Sequence, residues 1–355
     1  MHKRTLAVAL AALLAVAASV ATASAGAANP RTTTVMTINV YQGTELEHVL
    51  AATNPTQLLI GVGMDYSNVV ATDFRMRAQA LAAEVASAHP SLVGIQEAAT
   101  WTVDGTVSYD FAPILLDALA ADGLHYEVAA RRENWRSQNV PGVFPTGLHF
   151  VSLSEQTAIL ARTDLPTDEL KIANAQSHAF DVRTIFPFLG QPFDIGGGWL
   201  SVDAKVRGKS FRFVTTHMDP ISAAARTTQA AQMVEQAGAD GLPLVIAGDT
   251  NSEPTSAAYA EFVGAGLTDT WAALHPGDAG FTCCHIKPGA TDADAIGDPA
   301  APLTERVDYV LAGTGVTPLT ERLFNTEPAE MFGGLWPTDH AAIAATLGLD
   351  PLPKG

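Results

Sequence analysis

Six short segments of this 355-residue chain set oxygen or imidazole side chains within or at the end of apolar runs. They are Thr37-Ile38-Asn39-Val40, Ile95-Gln96-Glu97, Thr216-His217-Met218, Ile246-Ala247-Gly248-Asp249-Thr250-Asn251, Arg306-Val307-Asp308-Tyr309-Val310 and Thr338-Asp339-His340. Carboxylates and amides converging above a sheet make a hard, oxygen-rich site, which suits Mg2+, Mn2+ or Ca2+ rather than a thiolate-selected metal. Taken singly, each segment has a plainer explanation. Gly-Asp-x-Asn makes polar turns, and a lone Glu97 caps a helix or sits on the surface. Asp308 is harder to dismiss, because an unpaired carboxylate inside an apolar strand is expensive. A histidine partner relieves that cost, and His217 and His340 are both available; Arg306 or a backbone group is the purely structural alternative.

To bring six such segments together the chain must alternate strands with helices. Thr33 to Val40 is rich in β-branched residues and reads as a strand. A helical spacing from Met76 to His89 is stopped by Pro90, and a short buried strand follows over Leu92–Ile95. Pro113 to Leu119 reads as helix ended by Asp122-Gly123, and Thr157 to Ala161 as strand. Trp199–Val206 and Phe211–Thr216 flank Arg207-Gly208-Lys209-Ser210 as a hairpin. A long Ala-rich helix is expected over Ser222–Ala237, then strands over Leu244–Ala247 and Val307–Leu311. Residues 134–156 and 275–303, rich in Gly, Pro and polar side chains, read as long loops, which in a compact domain are more often functional than accidental. No break in composition marks a linker, so one α/β domain over residues 31–350 is the simplest division.

The order of the six segments resembles that of the endonuclease/exonuclease/phosphatase superfamily. That superfamily includes pancreatic-type deoxyribonucleases, abasic-site endonucleases, inositol polyphosphate 5-phosphatases and bacterial sphingomyelinases. The resemblance spans residues 36–341 and implies an α/β (α+β) four-layer sandwich: two packed mixed β-sheets flanked by helices, with the site at one end. It implies that Asn39, Glu97 and Asp339 bind Mg2+ or Mn2+, with room for a second divalent ion near Asp249 and Asn251. Asp249 and Asn251 match the pair that orients water and contacts phosphate, His217 the central histidine, and Asp308 the acid bonded to the last histidine, His340. Thr338 stands where the family usually has Ser and keeps the hydroxyl. Residues 125–157 match no substrate loop of the family. Arg131, Arg132, Arg136 and His149 there are either anion contacts or solvated charges.

The chemistry so implied is hydrolysis of a phosphoric ester by activated water, with His340, oriented by Asp308, or else Asp249 as base. Composition narrows the substrate. Apolar residues at 47% against 16% charged allow a substantial core and exclude disorder. A net charge of −17 argues against a protein that coats nucleic acid, although a small basic site on an acidic body remains compatible. A secreted nuclease is therefore the second choice behind an enzyme acting on a phospholipid or small phosphodiester. A transient membrane contact is expected through the apolar stretch Val140–Phe150, and no obligate protein partner is indicated. A non-catalytic secreted binding module would be expected had a metal or histidine position been lost, and none is.

The first 25 residues read as a secretory signal peptide: His2-Lys3-Arg4, an apolar run from Leu6 to Val20, then Ala23-Ser24-Ala25. Its removal takes Lys3 and Arg4 and moves the net charge from −17 to −19. The run is short for a membrane span of ~20 residues, and no Cys follows it to carry a lipid, so a soluble extracellular protein is expected. Cys283 and Cys284 are adjacent, so there is no disulfide framework. A vicinal bridge is sterically awkward but open to an exported protein, and Cys-Cys-His lacks structural-zinc spacing, so a loop of structural role is expected there.

Overall fold

Successive residues of a strand face opposite ways, so a strand buried on both faces is an unbroken apolar run. β1 (Thr32–Asn39) and β2 (Leu92–Gln96) are of this kind and pair in parallel at the centre of one sheet. The structure, a computed structural model, describes residues 31–285 and 296–349. The leader at 1–25, part of the 275–303 stretch and residue 350 lie outside the described residues. In chain order the helices are α1 (Glu47–Leu50), α2 (Pro55–Ala71), α3 (Phe74–Ala88), α4 (Phe111–Ala121), α5 (Ala223–Ala237), α6 (Ala257–Gly264) and α7 (Thr270–Leu274). The other strands are β3 (Thr100–Val103), β4 (Thr106–Asp110), β5 (Tyr126–Phe144), β6 (Gly147–Arg162), β7 (Leu170–Ala179), β8 (Thr184–Phe188), β9 (Gln191–Ile195), β10 (Gly198–Val206), β11 (Lys209–His217), β12 (Leu244–Asp249), β13 (Thr268–Asp269), β14 (Asp308–Ala312), β15 (Thr317–Phe324) and β16 (Ala342–Gly348).

Two mixed sheets pack face to face. The first has the order β15-β16-β1-β2-β6-β3-β4 with β5 along β6, and the second β13-β14-β12-β11-β10-β7. Between them lies a core of Val35, Leu92, Leu200, Phe213, Val245, Val310 and Ile343. Met36, Ile38, Val93 and Ile95 point the other way and pack under α2, α3 and α4. Val214, Ile246 and Leu311 face Met233 of α5 and Phe262 of α6 on the far side. The period of two thus sorts each central strand between neighbouring layers of a four-layer sandwich. Among the described residues no helix is long and apolar enough to cross a membrane.

Two local expectations differ from the structure. Residues 134–156 belong to the long antiparallel hairpin of β5 and β6, which turns at Pro145-Thr146, and are not a loop. A ribbon with one wet face carries polar residues throughout, and irregularities near Ala129, Asn134 and Val140 break the period that would have revealed it. The β10–β11 turn is tighter than expected, with only Arg207 and Gly208, both at positive φ, between the strands. That is the preferred geometry of a two-residue hairpin. Helix α2, capped by the Asn54 side chain with Pro55 in its first turn, is an element the periodicity did not indicate.

Arg77 ties the helical layer to the strand ends. Although nearly fully buried, it has no salt bridge among the described residues and donates to four backbone carbonyls: Thr72 at 2.7 Å, Val40 and Pro337 at 2.8 Å, and Tyr41 at 3.0 Å. Val40 and Tyr41 follow Asn39, and Pro337 precedes Thr338-Asp339-His340, so one guanidinium fixes the two segments against each other. Arg77→Met should lower the free energy of unfolding in urea by at least about 3 kcal/mol, since each buried carbonyl left without a donor costs ~1–3 kcal/mol. A loss below about 1 kcal/mol would mean that water replaces the guanidinium without penalty.

Candidate active site

The strand faces that form the core between the sheets end in polar residues at one edge of the sandwich. On β1 the series Val35, Thr37, Asn39 runs from apolar to amide; on β12 Val245 and Ala247 lead to Asp249; on β11 Phe211, Phe213 and Thr215 lead to His217. β14 begins with Asp308 and continues through Val310 and Ala312 into the same core. Below the site Thr37 donates to Gln96 Oε1 and Gln96 donates to Thr215 Oγ1, so a buried polar ladder already joins the sheets.

Asn39 is central. Its Nδ2 lies 3.0 Å from Glu97 Oε1, 3.1 Å from Asp249 Oδ2 and 3.4 Å from His340 Nε2, while its Oδ1 accepts from the Tyr41 N–H at 3.0 Å. Glu97 follows β2 at φ 56, a left-handed conformation rare for a glutamate, which turns its carboxylate back so that Oε2 accepts from the Gln42 N–H at 2.8 Å. His340 Nδ1 is 2.8 Å from Asp308 Oδ2, so histidine is the partner of the strand-internal acid; Arg306 pairs with Asp269 instead. Asp339 Oδ1 is 3.9 Å from His340 Nε2, and Thr338 Oγ1 donates to the Asn39 carbonyl at 2.6 Å. Asn251 sits at the rim in a left-handed turn, its N–H on Asp249 Oδ1 and its Nδ2 on the Met218 carbonyl.

His217 stands on the opposite wall, 3.7 Å from Asp249 Oδ2, and its Nδ1 is 3.2 Å from the buried Glu155 on β6. Glu155 is not singled out by the sequence, because the polar run Ser154–Gln156 reads as the end of a loop; its signal is an acid two residues before a buried strand. Two histidines are thus each backed by a carboxylate across one cleft.

Burial alone would strip the His217 proton, but the hydrogen bond and charge of Glu155, with Asp249 and Glu97, raise it to about 10. His340 is likewise opposed by burial yet raised well above an ordinary histidine by Asp308, Asp339 and Asp249. Asp308 and Asp339 are each pushed up to about 6 by burial, partly offset by the charge of His340. The donor set fits a hard divalent cation: Glu97, Asp339, Asp249 and Asp308 crowd one cleft, and ligand atoms of Asp249, Asp308 and His340 lie within 4.8 Å of one another. Asp308 Oδ1 is buried without a hydrogen-bond partner among the described residues.

The remaining sequence candidates separate cleanly. Arg131 pairs with Asp110, Arg136 with Glu133, and His149 with Asp104. Arg132 makes no ion pair among the described residues. Cys283 and Cys284 form a vicinal disulfide, with Cys284 Sγ 3.6 Å from His340 Nε2. His285 is engaged through both ring nitrogens by the carbonyls of Ala301 and Asn325 and stacks on Trp336, so it offers no ligand atom.

A model described as the endonuclease/exonuclease/phosphatase family matches residues 36–340. Among solved structures, an endonuclease/exonuclease/phosphatase family protein from Bacteroides thetaiotaomicron has a TM-score of 0.56 at 17% identity, covering 91% of this chain and 99% of that one. A mannosyl-6-phosphatase from the same species gives 0.52 at 17%, covering 89% and 99%. D. rerio TDP2, solved with a single-strand DNA product, gives 0.52 at 16%, also covering 89% and 99%. At these identities the likeness is one of fold. No curated protein sequence matches the chain.

The Glu155–His217 pair sets a pH window in chelator-treated protein. His217 binds its proton more tightly folded, at about 10, than unfolded, at about 6.5. The stability this brings is complete below the unfolded value and is lost as pH rises through the folded one. The Tm of the wild type should therefore fall more steeply across that window than the Tm of Glu155→Gln. Parallel curves would show that Glu155 does not hold the proton.

Proposed function

This chain belongs to the endonuclease/exonuclease/phosphatase family and is a metal-dependent hydrolase of phosphoric esters, and from that premise we propose that it cleaves a phosphodiester by attack of activated water in the cleft between its two sheets. The observation that carries this is the pair of carboxylate-backed histidines, Asp308–His340 and Glu155–His217, facing each other across Asn39 and Asp249. Glu97 and Asp339, beside Asn39, would hold Mg2+ or Mn2+, with Asp249 as oxygen donor for a second ion, and the metal supplies neutralisation of the charge that develops on the phosphoryl oxygens.

The chain's own groups divide the proton work. Asp308 accepts from His340 Nδ1–H, which fixes the tautomer and leaves Nε2 toward Asn39 and the cleft. Asp308 and Asp339 are among the charges that hold the His340 proton, so a cation held by Asp339 would loosen that hold and favour His340 as acceptor of the proton of water. Asp249 is the alternative acceptor. His217, kept protonated by Glu155, donates to the phosphate or to the leaving oxygen.

The substrate side is selected by what surrounds the cleft. β6 pairs with Ile95 at Ala158 and runs from there beyond the site end of β2, so the β5–β6 hairpin projects past that end of the sheet and its tip packs on α2. Val143, Leu148 and Phe150 near its tip are about half exposed, as are Ile60 and Met64 of α2 beneath it. Val143, Ile60 and Met64 line one shallow pocket of about 300 Å³. An exposed apolar hairpin tip on an acidic body suits a lipid-borne or small phosphodiester and disfavours duplex DNA. The leader sequence supports secretion, and a vicinal disulfide is compatible with an oxidising compartment.

Chelation should abolish hydrolysis of bis-p-nitrophenyl phosphate, and Mg2+ or Mn2+ should restore it better than Zn2+. Full activity in excess chelator would overturn the mechanism. At physiological salt, duplex DNA should be cut slowly relative to sphingomyelin, phosphatidylcholine or the nitrophenyl ester. Efficient DNA cleavage would favour the nuclease branch.

His340→Ala should lower kcat by ~10²–10⁴-fold, as loss of general acid–base catalysis typically does. Asp308→Ala should cost comparably, and the double variant scarcely more, because the two act as one unit. Multiplicative losses, measured per folded molecule, would refute the dyad and point to Asp249.

A further inference from the structure

The β5–β6 region carries three neighbouring arginines, and two of them are spent. Arg131 pairs with Asp110 and Arg136 with Glu133. Arg132 has no carboxylate among the described residues. Its contacts are long, NH1 to Ser177 Oγ at 3.5 Å and NH2 to the Gly197 carbonyl at 3.4 Å, and its Nε is buried with no hydrogen-bond partner among the described residues. Burial and the like charge of Arg183 both disfavour its proton. In a chain of net charge −17, an arginine kept half-buried and unpaired is costly unless an anion comes to it.

Its position says which anion. A β-carbon added at Gly198 would collide with Arg132 Nε, so the side chain lies directly over that glycine. Gly198 is the register partner of His217, and direct partners on adjacent strands face the same side. The Arg132 side chain therefore crosses the face of the sheet that carries the His217 imidazole, displaced sideways by about one strand spacing, ~5 Å. Gly196 makes room for the Asn134 carbonyl in the same way, so consecutive glycines let β5 close onto β10 at this point. Ser177 adds a hydroxyl beside the guanidinium.

We propose that Arg132, with Ser177, forms an anion subsite beside the cleft that binds a second anionic group of the substrate, next to the phosphodiester being cut. This rests on the proposed phosphodiesterase function and narrows its substrate to esters carrying a second phosphate or carboxylate close to the first. One such pocket on an acidic body fits a compact dianion better than a long polyanion.

The test compares two matched esters: thymidine 5′-(p-nitrophenyl phosphate) and the same compound bearing a 3′-phosphate. The wild type should prefer the 3′-phosphorylated ester in kcat/KM by about tenfold or more, the scale of one hydrogen-bonded charge pair. Arg132→Gln should bring the ratio close to one, and Arg132→Lys should retain part of it. A purely structural arginine would lower both rates together and leave the ratio unmoved, which would overturn the subsite, as would a wild type without preference. Should neither ester be hydrolysed, the catalytic reading fails by itself. Calorimetric binding of thymidine 3′,5′-bisphosphate against thymidine 5′-monophosphate, in wild type and Arg132→Gln, then decides the subsite, and equal preference in both proteins would sink it.

Discussion

Charge crowding at the end of the inter-sheet cleft is the constraint on which the rest of the structure depends. Glu97, Glu155, Asp249, Asp308 and Asp339 converge there, and all but Glu97 are buried. Carboxylates so placed either take up protons, as the upward shifts of Asp308 and Asp339 indicate, or are met by positive charge. The protein supplies His217, His340 and the Arg77 guanidinium, whose attraction to Asp339 and Glu97 partly offsets a burial penalty that brings it down to about 10. Five acids against three cations leave an excess of negative charge, which is the electrostatic demand that a divalent ion answers.

The two histidine pairs also tie the sandwich together. Glu155 comes from β6 in the first sheet and His217 from β11 in the second. Asp308 comes from β14 in the second sheet, and His340 lies at the entry to β16 in the first. Each pair therefore crosses the interface, as does the Gln96–Thr215 bond beneath them. The apolar core sets the sheets at a distance where these bonds close, and the bonds penalise any sliding of one sheet over the other. Chemistry and packing are the same contacts here, so Arg77, which touches neither substrate nor histidine, still bears on the site by locking Pro337 to the end of β1.

Much of this was legible in the residues because a strand's period of two carries through to its end. Asn39, Asp249 and Asp308 are polar at positions where the pattern calls for another core residue, and that violation marks them. Glu155 broke no pattern, since the β5–β6 ribbon is wet on one face and irregular at three points. Arg77 was hidden for a different reason: a long basic residue in a helix is normally solvated, and its burial depends on carbonyls from segments far away in sequence. Helix α2 is hard to read because most of its length is apolar residues and glycine without a clear stripe; its capping Asn54-Pro55 is the readable signal.

The same period explains why catalysis and selection occupy different parts of the fold. Residues on inner faces are bound by both sheets, so an altered side chain there disturbs core and chemistry together. The β8–β9 hairpin and the outer half of the β5–β6 hairpin lie outside that double constraint: Trp135 and Phe193 meet there with ring centroids 5.6 Å apart, whereas the C-terminal half of β6 is buried in the core. Arg132 lies at the boundary, rooted in β5 but reaching over Gly198 onto the inner face. A residue so placed can contact substrate without supporting the core. Glycine at 196 and 198 makes this arrangement possible, because any larger side chain would hold β5 and its arginine away from the cleft.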